Sequence, residues 1–127
     1  MNAYFEQMIL SASPVELVRL MYGQAILAVR DAREHLRQKR IAERSKATMR
    51  AYAILTELLI SLREDAYPEL TPRLRNLYLY LQGLLLKANC EQTDPPLEEA
   101  LKLLNTLAEA WKQVPDQQPK EAAAIAA

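Results

Sequence analysis

The chain has 127 residues, half of them hydrophobic and a quarter charged, which suits one soluble globular domain with a single core. Sixteen basic residues balance sixteen acidic ones, so the formal net charge is zero and nucleic acid is disfavoured as the main partner. The lone cysteine, Cys90, excludes an internal disulfide and fits a reducing compartment, and no apolar run approaches the roughly 18 residues that a membrane span needs.

The first residues, Met1 to Glu6, lack the basic and long apolar regions of a secretory signal, and the protein is read as cytoplasmic. Residues 2–12 hold Tyr4, Phe5, Met8, Ile9 and Leu10, too apolar for a flexible leader, and are expected to pack back as a cap segment. Ser13, Pro14 and Glu16 then form a helix start: a capping hydroxyl, a proline suited to the first helical position, and the glutamate of a capping box. The apolar period runs to about Gln38, with Leu17, Val18, Met21, Ala25, Val29, Ala32 and Leu36 on one face. Leu20, Gly23 and Leu27 point the other way.

A second helix spans about Ile41 to Leu62, with Ile41, Ala51, Tyr52, Leu55, Leu58, Leu59 and Leu62 toward the core and Met49, Ala53, Thr56 and Ile60 opposite. Neither glycine nor proline separates it from the first. Arg63 to Leu70, with Pro68, reads as a loop. Thr71 is the expected cap and Pro72 the expected first residue of a third helix that runs to about Glu91. Its core face is Leu77, Tyr78, Leu81, Leu84, Leu85 and Ala88, and Leu79, Gly83, Leu86 and Cys90 lie opposite at i, i+4, i+7 and i+11. Asp94, Pro95 and Pro96 open a fourth helix, with Glu98 and Glu99 placed for the helix dipole. Leu97, Ala100, Leu101, Leu104, Leu107, Ala108 and Trp111 form one apolar arc, and the other face is polar. Pro115 ends it. The short connections predict an all-α, antiparallel up-down four-helix bundle with a short N-terminal cap segment. The domain is expected to cover residues 1–114, with 1–12 as the cap and 115–127 as a mobile C-terminal tail.

Three of the four helices thus carry a second apolar stripe on the side that a bundle leaves in water, and the one-sided fourth helix shows that the chain need not do so. A contiguous exposed apolar surface marks an interaction site. Each stripe has a plainer reading: scattered surface leucines for Leu20 and Leu27, a homodimer seam or a wholly buried helix for Leu79 and Leu86, and core filling for Met49. Charge is uneven, with eight basic residues against three acids over 30–50 and seven acids against three bases over 91–127. Tyr22, Tyr52 and Tyr78 sit at the margins of core arcs and are expected to keep their hydroxyls at the surface, and Trp111 reads as structural. The single histidine, His35, lacks the neighbours of a phosphotransfer site and cannot supply a di-iron bundle, and Cys90 has no base beside it. No catalysis, metal or cofactor is expected.

Particular residues resemble the flagellin-specific export chaperones, the FliS family. The similarity begins at Asn2-Ala3-Tyr4, strengthens over Leu10 to Leu17 with Ser13-Pro14 followed by Glu16-Leu17, and continues through Leu20-Met21-Tyr22-Gly23 and Ala25. It takes in Tyr78 to Leu81, Ala88-Asn89 and Leu107 to Trp111, in the family's order over roughly residues 2–114. The resemblance implies a cytoplasmic helical bundle that binds the disordered C-terminal segment of flagellin, prevents premature polymerisation and delivers it to the export apparatus. It implies that Tyr4, Met8, Ile9 and Leu10 form a cap over the client groove. The client surface would then be Leu20, Gly23, Leu27, Met49, Ala53, Ile60, Leu79, Gly83 and Leu86, on a monomer or weak homodimer without membrane insertion. The alternative is a homo-oligomeric helical adaptor or structural bundle whose stripes pair with a second copy.

Overall fold

The computed structural model describes residues 3, 4, 6 and 7, 13–63 and 68–114. Among the described residues, four long helices follow one another: α1 (Pro14–Arg37), α2 (Ile41–Ser61), α3 (Leu70–Glu91) and α4 (Pro95–Lys112). They pack in a ring, α1 against α2 and α4, and α3 against the same two, so that α1 and α3 face each other across the diagonal. The expected antiparallel four-helix bundle is what the chain forms.

The helix ends show why. Ser13 accepts the backbone N–H of Glu16 at 3.2 Å, and Pro14 follows as the first helical residue. The reversal between α1 and α2 needs no glycine. Lys39 adopts the left-handed conformation (φ 60°), its N–H donates to the Leu36 carbonyl, and the Arg40 N–H donates to that of His35. These two bonds satisfy orphan carbonyls in the Schellman pattern. Gln92 ends α3 in the same way, with φ 53°.

α1 and α2 make the largest contact in the ring, and both present buried alanines, Ala25, Ala28 and Ala32 on α1 with Ala47 and Ala51 on α2. Small side chains let helix backbones approach closely. Tyr22, Leu55, Leu58, Tyr78, Leu81, Leu85, Leu97 and Leu104 fill the centre.

Four sequence expectations are corrected. Ile41 is exposed, because the core face of α2 begins a turn later with Arg44 and Ala47. Leu17 and Leu77 are only partly buried. Thr71 is not a cap. The helix starts two residues earlier, at Leu70, Thr71 is fully buried, and its hydroxyl donates to the Arg63 carbonyl at 3.3 Å. Pro72 still fits inside the first turn, where backbone N–H groups have no helical partner. Finally, Tyr22 and Tyr78 do not surface. Both rings are buried, and their hydroxyls meet each other.

Polar contacts tie the ends of the helices together. Arg33 on α1 makes a two-pronged contact with Asp94 at 2.8 and 2.9 Å, which holds the start of α4 and explains why Asp94 does not cap its own helix. Arg19 donates to the Trp111 carbonyl at 3.0 Å and to the Val114 carbonyl, placing a cation at the end of α4, where the helix dipole favours one.

Candidate interaction surface

The α2–α3 seam is fastened by polar side chains at three levels. At one end, Arg44 is buried although it is a cation. It donates to Asn89 Oδ1 (3.3 Å), the Asn89 carbonyl (3.4 Å) and Gln92 Oε1 (3.2 Å), so it sits at the C-terminus of α3, where carbonyls and the dipole supply negative potential. The Ser45 hydroxyl adds a bond to Asn89 Oδ1 at 3.0 Å. In the middle, the Gln82 amide donates to Thr56 Oγ1 at 2.9 Å and to the Tyr52 carbonyl at 3.2 Å, and the Thr56 hydroxyl donates to that same carbonyl. At the far end lies the Thr71 bond to Arg63.

These bonds set the register of two antiparallel helices, and the register arranges the outward stripes. With Ser45 beside Asn89 and Thr56 beside Gln82, helical spacing puts Met49 level with Leu86, Ala53 with Gly83, and Ile60 with Leu79. The outer α2–α3 face therefore has three rungs. Two are bulky and exposed, with Met49 and Leu86 a little under half exposed, Leu79 half exposed and Ile60 71% exposed. The middle rung is low, and a Cβ added to Gly83 would meet nothing within 4 Å. The result is a saddle of small residues between two apolar ridges.

The three α1 residues do not join this face. α1 lies diagonally across the ring from α3. Gly23 lines a separate groove of about 690 Å³ between α1 and α4, with Arg19, Ile26, Asn105 and Ala108 among its walls. Leu27 is exposed on the outer side of α1, and Leu20 is partly buried. Of the expected cap, Tyr4 is 75% exposed, and Met8, Ile9 and Leu10 lie outside the described residues. The tail from Pro115 onward lies outside them as well.

Sequence reasoning missed two residues that build this seam. Gln82 lies between Leu79 and Leu86 by three and four residues, yet it is 7% exposed, and Arg44 looked like one more member of a basic run. An apolar arc interrupted once by glutamine on the side facing the next helix is the signal that marks the first. Nothing local marks the second.

No described helix is long and apolar enough to cross a membrane. The bundle closes its own core and still leaves an organised apolar face exposed, the kind of surface that marks an interaction site. Residues 1–118 match the family model for the flagellar protein FliS, and the chain belongs to that family. It is 33% identical over 110 residues to the flagellar secretion chaperone FliS of Salmonella typhimurium, covering 86% of this chain and 82% of that one. The corresponding chaperone of Escherichia coli is 29% identical over 109 residues, 85% and 80% of the two chains. That of Campylobacter jejuni is 28% identical over 113 residues, 89% and 88%. FliS is a chaperone family, and its members are not enzymes.

Proposed function

We propose that the protein is a cytosolic export chaperone that binds the disordered C-terminal segment of flagellin, keeps it from polymerising prematurely, and presents it to the flagellar export apparatus. One observation carries most of the weight: the three-rung apolar face of Met49 and Leu86, Ala53 and Gly83, and Ile60 and Leu79, on a member of a flagellar secretion chaperone family. An amphipathic segment laid in such a groove reads it through side chains at i, i+3, i+4 and i+7. A client that is disordered when free loses affinity to ordering but covers a large area, which suits a partner that must be released. Leu20, Gly23 and Leu27 extend the client contact onto α1, and Tyr4, Met8, Ile9 and Leu10 cap the apolar face before the client arrives.

Isothermal titration against the C-terminal segment of flagellin from the same genome tests this. The expected result is one-to-one binding with a large negative heat-capacity change, abolished by Leu86→Asp with helix content intact. Binding that survives Leu86→Asp sinks the groove. Light scattering at rising concentration covers the rival, since a stable dimer that Leu79→Asp and Leu86→Asp dissolve moves the function to self-association.

A further inference from the structure

Gln82 lies beside Gly83 at the base of the saddle, and its side chain is only half used. Both hydrogen bonds it makes come from its amide nitrogen, to the Tyr52 carbonyl and to Thr56 Oγ1. A backbone carbonyl can only accept, so this network fixes which end of the amide faces α2. The oxygen Oε1 is then left over. Among the described residues it has no hydrogen-bond partner, and it is not among the atoms shut away from solvent without one. The flanking residues, Ala53 next to Tyr52 and Gly83 next to Gln82, are the smallest on the face, and the bulky pairs stand a turn away on either side. Oε1 is thus an acceptor without a partner, not wholly sealed from solvent, beside the low Ala53–Gly83 rung where a partner's backbone can come close.

We propose that Gln82 Oε1 is a specificity determinant of this face. It accepts a hydrogen bond from a short donor on the client, either a serine or threonine hydroxyl or a backbone N–H outside the regular helical pattern, at the point where the client crosses the Ala53–Gly83 saddle. The inference rests on the reading of the α2–α3 face as the client surface. Its consequence is discrimination. A wholly apolar helix laid on the ridges would shut Oε1 off from solvent and return nothing, and a buried acceptor without a partner costs more than a made bond returns. A client carrying a donor at that position meets no such penalty. Amphipathicity alone then does not qualify a segment for this groove.

The test is titration of the flagellin C-terminal segment into the wild-type protein and three variants. Gln82→Met keeps volume and removes the acceptor, and the expected result is roughly tenfold weaker binding, the effect of one hydrogen bond to an otherwise buried group. Thr56→Val removes one of the two inter-helix bonds of Gln82, keeps the one to the Tyr52 carbonyl and leaves Oε1 in place, and binding should stay within about twofold of wild type, given how little a lost inter-helix bond alters the exposed face. Leu86→Asp should abolish binding. Loss with Leu86→Asp but unchanged affinity with Gln82→Met overturns the role of Gln82 and leaves the groove standing, whereas binding that survives Leu86→Asp overturns both. Equal losses from Gln82→Met and Thr56→Val assign Gln82 to helix packing alone and also overturn the proposal. Should Gln82→Met not fold, carbon-13 labelling of the wild-type protein decides. The Gln82 side-chain carbonyl resonance should move downfield when the client saturates the protein, and a stationary resonance overturns the assignment.

Discussion

The hydroxyl of Tyr22 on α1 meets that of Tyr78 on α3 at 2.5 Å, across the diagonal of the bundle. The two rings lie 6.4 Å apart between centroids, and the Tyr22 ring is equally far from Trp111 on α4. Three helices thus share one aromatic cluster, and the Tyr22–Tyr78 bond joins two buried hydroxyls that have no water to turn to. Either hydroxyl can donate, and each finds one partner in the other.

Removing one partner should therefore cost more than removing both. Tyr22→Phe or Tyr78→Phe strands a buried hydroxyl and is expected to destabilise the protein by about 1–3 kcal/mol. The double variant should recover part of that loss. A double-mutant cycle in chemical denaturation measures the coupling, and simple additivity of the two single effects would remove the pair from the account.

The same pair predicts the response to alkali. Burial, reinforced by the neighbouring phenol, pushes the Tyr22 hydroxyl far above its ordinary value of 10.0, and burial raises Tyr78 as well. The folded state therefore holds these protons when the unfolded state has released them, so stability is complete below about pH 10 and falls as pH rises beyond it. Absorbance titration of the six tyrosines should show that Tyr22 and Tyr78 ionise only as the protein unfolds. Titration of all six at ordinary values in a folded protein would contradict the burial of the pair.

The reversal between α1 and α2 places Lys39 at φ 60°, where a side chain is strained and glycine is not. Lys39→Gly should raise stability by about 1 kcal/mol, read as a higher denaturation midpoint at unchanged slope. A loss of stability would mean that the lysine side chain contributes there.

Gly83 should show opposite effects on stability and binding. A Cβ fits without a clash, so Gly83→Ala is expected to stabilise α3 by about 1 kcal/mol through helix propensity. If the saddle admits a client backbone, the same change weakens client binding, and Gly83→Leu weakens it further. Thermal melts and titration on the same samples separate the two effects. A gain in stability without any loss of affinity would place the client elsewhere.

Arg44 ties the start of α2 to the end of α3 through three hydrogen bonds to uncharged oxygens. Arg44→Met keeps most of the apolar stem and removes the donors, and it should cost about 2 kcal/mol, as charged hydrogen bonds of this kind do. Denaturant unfolding gives the number, and a neutral result would show that solvent replaces the arginine.

Much of this protein was legible in its residues. Apolar positions recurring every three or four residues, the Ser13-Pro14 start and the Asp94-Pro95-Pro96 start specify helices by local rules, because the helix period and its orphan N–H groups are properties of the backbone. The double stripes on Met49, Ala53 and Ile60 and on Leu79, Gly83 and Leu86 were visible for the same reason. Local rules failed where a distant partner competes. Thr71 gave up its capping role because its hydroxyl serves the Arg63 carbonyl, and Asp94 is held by Arg33.

Which stripes meet was decided only by the tertiary structure. A helical period gives each residue an angle about its own axis but no level relative to the next helix. That level comes from Ser45 against Asn89 and Thr56 against Gln82, which bring six of the nine expected residues onto one face and leave Leu20, Gly23 and Leu27 on another helix. Burial of Tyr22, Tyr78, Gln82 and Arg44 was decided the same way. Each polar group could be taken out of water only because folding supplied its partner, and no sequence neighbour could have done so.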